Sequence, residues 1–282
     1  MIKYYTRACN FKYGITAKKL IKKKSALALC GNKSISFSEV EIITRNRKKI
    51  TSNIVNIKDI SKLKTDLRKK VKKDLLSITS KRKNFLNNVN FESPSIMGIL
   101  NLTPDSFSDG GAHMGDPQAA ADAGFGMAAA GAALIEVGGE STRPKAAKIW
   151  EGDEIKRVVP VIERLAVSGV PVSIDTRKAA VMEAALDAGA HLVNDVSGLA
   201  HDPRSVEVVA QAGCPVVLMH APGAAHEDLH TGGAYTSVVF DVFDALRARR
   251  DAALEAGIAA QHILLDPGIG FGKSLAENLA LM

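Results

Sequence analysis

From residue 94 onward the chain alternates between two patterns. Short apolar runs, rich in β-branched residues or leucine, cover 96–102, 133–137, 171–174, 191–193, 215–219 and 262–265. These read as buried strands. Between most of them lie Ala-rich amphipathic stretches at 117–130, 151–167, 177–188, 203–212 and 235–256. Punctuation agrees with helices there. Asp116 precedes Pro117 as a capping residue before a first-turn proline, and Gly131, Gly189, Gly213 and Gly257 fall just past the helix ends. Repeated strand–helix units imply a parallel sheet with right-handed crossovers. Six βα units can be counted, against the eight of a closed (β/α)₈ barrel. Polar and ionisable residues gather where the strands end: Asn101, Glu136, Asp175, Asn194, Asp195, His220 and Asp266. A βα barrel and a doubly wound sheet both bind ligands at that end, so this placement does not choose between them.

Residues 1–95 follow a different pattern. Residues 34–43 alternate apolar with polar as a strand does, and 57–76 reads as an amphipathic helix with a basic face. This part is expected to be a small α+β extension, and whether all of it is ordered is left open.

Charge sharpens the division. The net charge of +7 averages a basic part, with 24 Lys+Arg and 6 Asp+Glu in residues 1–95, and an acidic one, with 13 and 24 in residues 96–282. Alanine rises from 4 in the first part to 35 in the second. The lysine runs at 22–24 and 69–73 have no aromatic stacking platform beside them, so they read as a solvated surface and no nucleic-acid partner is expected. Three scattered cysteines, Cys9, Cys30 and Cys214, argue against a disulfide framework or a cysteine zinc site and fit a reducing cytosol. No apolar run is long enough for a membrane helix, and the N-terminus lacks a secretory h-region. A cytoplasmic protein is expected.

Four segments carry candidate chemistry. Residues 101–111, NLTPDSFSDGG, follow a strand and consist of turn formers and short polar side chains, suited to folding over a ligand. The Asn101 carbonyl oxygen suits a Mg²⁺ that carries phosphate. Residues 137–144, VGGESTRP, bring backbone close to a ligand through two glycines and offer Thr142 and Arg143 to phosphate oxygens. Asp175 in SIDTR and Asn194 in NDVSG can read the edge of an aminopyrimidinone ring, since a carboxylate accepts two N–H bonds and an amide both donates and accepts. Asp175 could equally cap the helix that follows it. Residues 265–274, LDPGIGFGKS, resemble a phosphate loop but fail both glycine patterns, with Pro267 and Lys273 where glycine is required. The sequence His226-Glu-Asp-Leu-His230 satisfies H-E-x-x-H, but it lies between loop-forming residues, and no zinc site is expected.

Taken together and in this order, NLTPDSFSDGG, GGESTRP, SIDT, NDVSG, VVLMH and DPGIGFGK resemble dihydropteroate synthase over residues 96–282. The resemblance implies a TIM-type (β/α) barrel. It also implies a transferase of folate biosynthesis that condenses 7,8-dihydropterin-CH₂-pyrophosphate with p-aminobenzoate, uses Mg²⁺, assembles as a homodimer and is a sulfonamide target. Carried over, Asp175, Asn194 and Asp266 would bind the pterin and form the catalytic set. Met219 and Phe271 would pack on its ring. Thr142, Arg143, Pro144 and Phe107 would shape the p-aminobenzoate pocket. Asp109 and Lys273 join the substrate-binding residues, and Asn101 would hold the metal.

Two departures stand out. Glu136 occupies a position where the family usually has aspartate. The family's later Ser-Arg-Lys and Arg-x-His segments, with two further βα units, have no counterpart before Met282. On that basis the chain alone is expected to be unstable and weakly active or inactive, and the compositional change near 95–115 suggests two joined sources. Competing readings are an inactive, truncated or chimeric pterin-binding fragment, and the methyltetrahydrofolate-binding domain of a corrinoid methyltransferase.

Overall fold

A computed structural model describes residues 2–86, 89, 94–103, 116–141, 143, 146–222 and 232–282. The chain forms two compact units, 1–83 and 84–282.

The first unit contains β1 (Ile2–Tyr13), α1 (Gly14–Lys22), β2 (Leu27–Leu29), β3 (Asn32–Asn46), β4 (Lys49–Asn56), a 3₁₀ turn (Ile57–Lys62) and α2 (Thr65–Thr79). Strand β3 is central and antiparallel to its neighbours. It pairs with β1 along one edge and with β2 and then β4 along the other. Phe37, Val40 and Ile42 of β3 bury against Val71 and Leu75 of α2. The strand expected at 34–43 lies inside β3. The helix expected at 57–76 is two elements. The Asn56 side chain accepts from Lys58 N and closes a short 3₁₀ turn, then Leu63 and Lys64 turn extended before α2 begins. Leu63 packs on the core through that break, so tertiary packing overrides a continuous helical period.

In the second unit strands and helices alternate: β5 (Met97–Asn101), α3 (Pro117–Ala129), β6 (Leu134–Gly138), α4 (Glu151–Val167), β7 (Val172–Asp175), α5 (Ala179–Asp187), β8 (Leu192–Asp195), α6 (Ser205–Ala212), β9 (Val216–Met219), α7 (Val238–Glu255), β10 (Ile263–Asp266) and α8 (Leu275–Leu281). The Asp116 side chain accepts from Gln118 N and Ala119 N, which fixes the start of α3. Helix α8 lay outside the expected elements. A capping box between Ser274 and Glu277 starts it, and that signature can be read in the sequence as Ser-x-x-Glu.

All neighbouring strands are parallel, and their order is the chain order, β5-β6-β7-β8-β9-β10. A doubly wound sheet reverses direction at a switch point. No reversal occurs here, so the winding is that of a (β/α) barrel wall with six units. Residues alternate between its two faces. Leu100, Ile135, Val137, Val172, Ile174, Val193, Val216 and Leu218 face the helices, against Val158, Ile162, Leu165, Val181 and Met182. On the opposite face, Leu134 and Leu192 meet Leu86 and Val89 at the N-terminal end of the strands. These contacts form an apolar floor, and above it the same face turns polar.

Leu165 is fully buried, and its Cδ2 lies 2.9 Å from where a side chain on Gly124 would begin. Replacing Leu165 with alanine opens a cavity between α4 and α3, with a cost of about 2–5 kcal/mol in denaturant unfolding.

Candidate active site

The parallel register sets Asn101, Gly138, Asp175 and Asn194 side by side on four adjacent strands. Gly138 leaves a gap between two side chains. A Cβ there would stand 3.2 Å from Asn101 Oδ1 and 3.7 Å from Asp175 Oδ2. Asp266, level with Met219 on β9, lies on the same face of β10, two residues beyond the level of the row. One level below, Glu136 and Ser173 are partners on the same face. Glu136 Oε1 accepts from Asn194 Nδ2 at 2.8 Å.

Three enclosed oxygens on this face, Asp175 Oδ1, Asn194 Oδ1 and Ser173 Oγ, have no hydrogen-bond partner. Buried polar atoms are almost always paired, so a row of unsatisfied acceptors points to a ligand that donates hydrogen bonds. Burial pushes the Asp175 carboxyl well above its ordinary range, and the charges of Glu136, Asp195, Glu154 and Glu140 add to the effect. Burial also raises Glu136, with Asp266 reinforcing, while the bond from Asn194 opposes the rise. The site is thus an acidic hollow that favours a cation or a donor-rich ring.

Loops hold the hollow open. Asp195, beside Asn194, turns away from it and accepts from Ser197 N at 2.7 Å and Leu199 N at 3.0 Å. Burial raises its carboxyl to about 6. Asp175 does not cap α5, because Ala179 N donates to Asp202 Oδ2 at 2.9 Å. Asp175 therefore remains available to the site. The loop after β6 is pinned beneath by an ion cluster. Lys178 Nζ donates to Glu140 Oε1 at 3.1 Å, Glu154 Oε2 at 2.8 Å and Ile149 O at 2.8 Å, and Arg177 Nε lies 3.5 Å from Glu140 Oε2. Gly139 must be glycine, since a Cβ would approach Val158 Cγ1 to 2.7 Å.

After β10 the chain folds back on itself. Gly268 N donates to Asp266 Oδ1 at 2.7 Å. Lys273 Nζ donates to Gly268 O, Phe271 O and His220 O at 2.8, 3.0 and 3.2 Å. Burial lowers that ammonium to about 8, against the pull of Asp266 and Glu277. Met219, Val196, Ala221 and Phe271 form an apolar wall beside the acidic row.

With this geometry in place, the comparisons with known proteins become specific. A family model for pterin binding enzymes matches residues 97–282. The chain belongs to this family. The dihydropteroate synthase of Mycobacterium leprae is 45% identical over 187 residues, 66% of this chain and 66% of that protein. That of Bacillus subtilis is 44% identical over 193 residues, 68% of this chain and 64% of that protein. Among solved structures, the Yersinia pestis enzyme with a sulfonamide drug is 45% identical with a TM-score of 0.64, covering 68% of this chain and 70% of that one. The Xanthomonas albilineans enzyme with 4-aminobenzoic acid is 46% identical with a TM-score of 0.61, covering 67% of each. The chain spans less than two thirds of the length of these curated relatives, and 22% of a probable bifunctional folylpolyglutamate synthase/dihydropteroate synthase of Haloferax volcanii, 48% identical over 68% of this chain.

For a pterin-binding family member, the structure brings together Asn101, Asp175, Asn194, Asp266, Met219 and Phe271. It places Arg143 on the loop after β6, its backbone N 3.4 Å from Ser141 Oγ. Lys273, assigned to the substrate by the sequence, fastens the loop after β10 with all three of its donors. Phe107, Asp109, Thr142 and Pro144 lie outside the described residues, as do His226 and His230. Sequence reasoning left Glu136 without a role and missed Lys178 and Glu154. Strand alternation would have put Glu136 on the same face as Asn194. Nothing in the sequence pairs Lys178 with a helix residue 24 positions away. Among the described residues, no group of three or more His, Cys, Asp and Glu side chains could hold a metal.

Two measurements follow from this geometry. At Gly268, φ is +66° and a Cβ would meet His220 O at 2.1 Å. Gly268→Ala therefore carries both backbone strain and a backbone collision, and the loss of stability in denaturant unfolding should exceed the roughly 1–2 kcal/mol of left-handed strain alone. His220 Nδ1 is enclosed without a partner, and burial, helped by Lys273, lowers its imidazole from 6.5 to about 4. Its NMR titration should have a midpoint near 4. Because the folded value lies below the unfolded one, His220 contributes stability that is present above pH 6.5 and lost as pH falls toward 4.

Proposed function

We propose that this chain performs the dihydropteroate synthase reaction, joining a dihydropterin methylene to the amine of p-aminobenzoate with release of pyrophosphate. The observation that carries the reading is the row of unsatisfied acceptors at Asp175 and Asn194, flanked by Asp266 and by the Met219–Phe271 wall. A pterin's 2-amino group and ring N–H supply donors for such a row, and its flat face suits the apolar wall.

In this reaction the C–O bond between the methylene and pyrophosphate breaks, and its electron pair leaves with pyrophosphate. The amine nitrogen then attacks the methylene carbon and releases a proton. The carboxyl groups of Asp175, Glu136 and Asp266 lie beside the ring, and negative charge developing on them would favour the electron-poor methylene as the bond breaks. Mg²⁺, when bound with the pyrophosphate, supplies charge neutralisation at the leaving oxygens, and Asn101 would offer it one oxygen. Arg143, with Thr142, Pro144 and Phe107, would form the p-aminobenzoate side, and Asp109 would join the substrate-binding residues. Loops closed over the hollow would keep water from capturing the methylene.

No helix among the described residues is long and apolar enough to cross a membrane, and Cys9, Cys30 and Cys214 are free thiols. The free thiols support a cytoplasmic enzyme. Exposed Phe243, Leu275 and Leu279 on α7 and α8 offer apolar surface for a homodimer.

The test is p-aminobenzoate-dependent pyrophosphate release from the dihydropterin pyrophosphate in Mg²⁺, by the purified chain. Weak turnover is expected, and Asp175→Asn should lower kcat/KM about 10–100-fold further while the fold survives, because the isosteric amide replaces one acceptor with a donor. Folded protein with no turnover would overturn the reading.

A further inference from the structure

Asn194 can present either its oxygen or its NH₂ group to a ligand, and the side chain behind it decides which. Glu136 sits on β6 and Asn194 on β8, two strands away, with β7 between them. The β7 residue level with Glu136 is Ser173, whose small side chain leaves a passage. Glutamate is long enough to cross it, and Oε1 ends 2.8 Å from Asn194 Nδ2. A carboxylate only accepts, and an amide nitrogen only donates. Flipping the amide would put oxygen against oxygen in an enclosed place, so the contact fixes the orientation. What remains toward the hollow is Asn194 Oδ1, enclosed and unpartnered, beside the equally unpartnered Asp175 Oδ1.

We infer that Glu136 is a positioning residue that locks the Asn194 amide with its oxygen toward the ligand, and so sets the site's preference for a ring edge that donates hydrogen bonds. The inference rests on the pterin reading and names what enforces it. It also gives a task to the extra methylene of Glu136. Burial raises the Glu136 carboxyl, and the bond from Asn194 offsets part of that rise.

Two probes differ at the relevant edge: 6-hydroxymethylpterin carries a 2-amino donor, and 6-hydroxymethyllumazine carries a 2-oxo acceptor in its place. Binding of each to the full chain would be measured by calorimetry, beside Glu136→Gln. A glutamine amide satisfies Asn194 in either orientation. The wild type should favour the pterin, and in the variant that preference should fall about tenfold, mainly because the lumazine binds better. A merely structural role would weaken both ligands alike and leave the ratio unchanged, which would overturn the inference while the pterin reading stands. A wild type that prefers neither probe would sink the pterin reading and the inference with it. Should the variant not fold, NMR of the Asn194 side-chain NH₂ in the wild type decides. Those protons should hardly shift when the pterin binds, and a large shift would show them facing the ligand.

Discussion

The parallel ladder from β5 to β8 is the constraint on which the site depends. Because side chains alternate across a sheet and neighbouring strands run in the same direction, one register fixes a whole row. Asn101, Gly138, Asp175 and Asn194 stand level. A slip of one residue on β7 would turn Asp175 into the helix layer and Ile174 into the hollow. The apolar contacts that forbid the slip are those of Ile174 and Val193 with the surrounding helices.

That row carries an electrostatic cost. Glu136, Asp175 and Asp266 share a partly enclosed face, and like charges at short range resist ionising together. Interactions outside the hollow offset the cost. Lys178 ties Glu140 to the fully buried Glu154 beneath the loop after β6. Asp195 is satisfied by its own turn. Lys273 gathers three carbonyls of the loop after β10. Asp195 and Lys273 are satisfied in this way, while Asp175 Oδ1 and Asn194 Oδ1, side by side on the strand row, are left without partners. Adjacent unsatisfied acceptors on one face separate a binding hollow from a core.

Much of this was legible in the chain. The apolar runs placed all six strands of the second unit to within two residues at each end, because strands buried on both faces read as continuous hydrophobic stretches. The glycines past the helix ends adopt positive φ at Gly131, Gly189, Gly213 and Gly257, as helix ends of this kind require. Asp175, Asn194 and Asp266 could be placed at strand ends because polar residues ending apolar strands are conspicuous. In the first unit the basic helix was misread as one element, since the half-buried Leu63 keeps the helical period across a break in the backbone.

Short-range chemistry is therefore what the sequence by itself determined: element type, caps, turns, and which residues end each strand. Tertiary structure decided the rest. It made the strand order consecutive, and so a barrel winding, because order is set by packing between elements and not by any one of them. It gave the cap of α5 to Asp202 and left Asp175 to the site. It brought Glu136 across β7 to Asn194, 58 residues away in the chain. A hydrogen bond of that span has no local signature, since the two groups acquire their meaning only when three strands lie side by side.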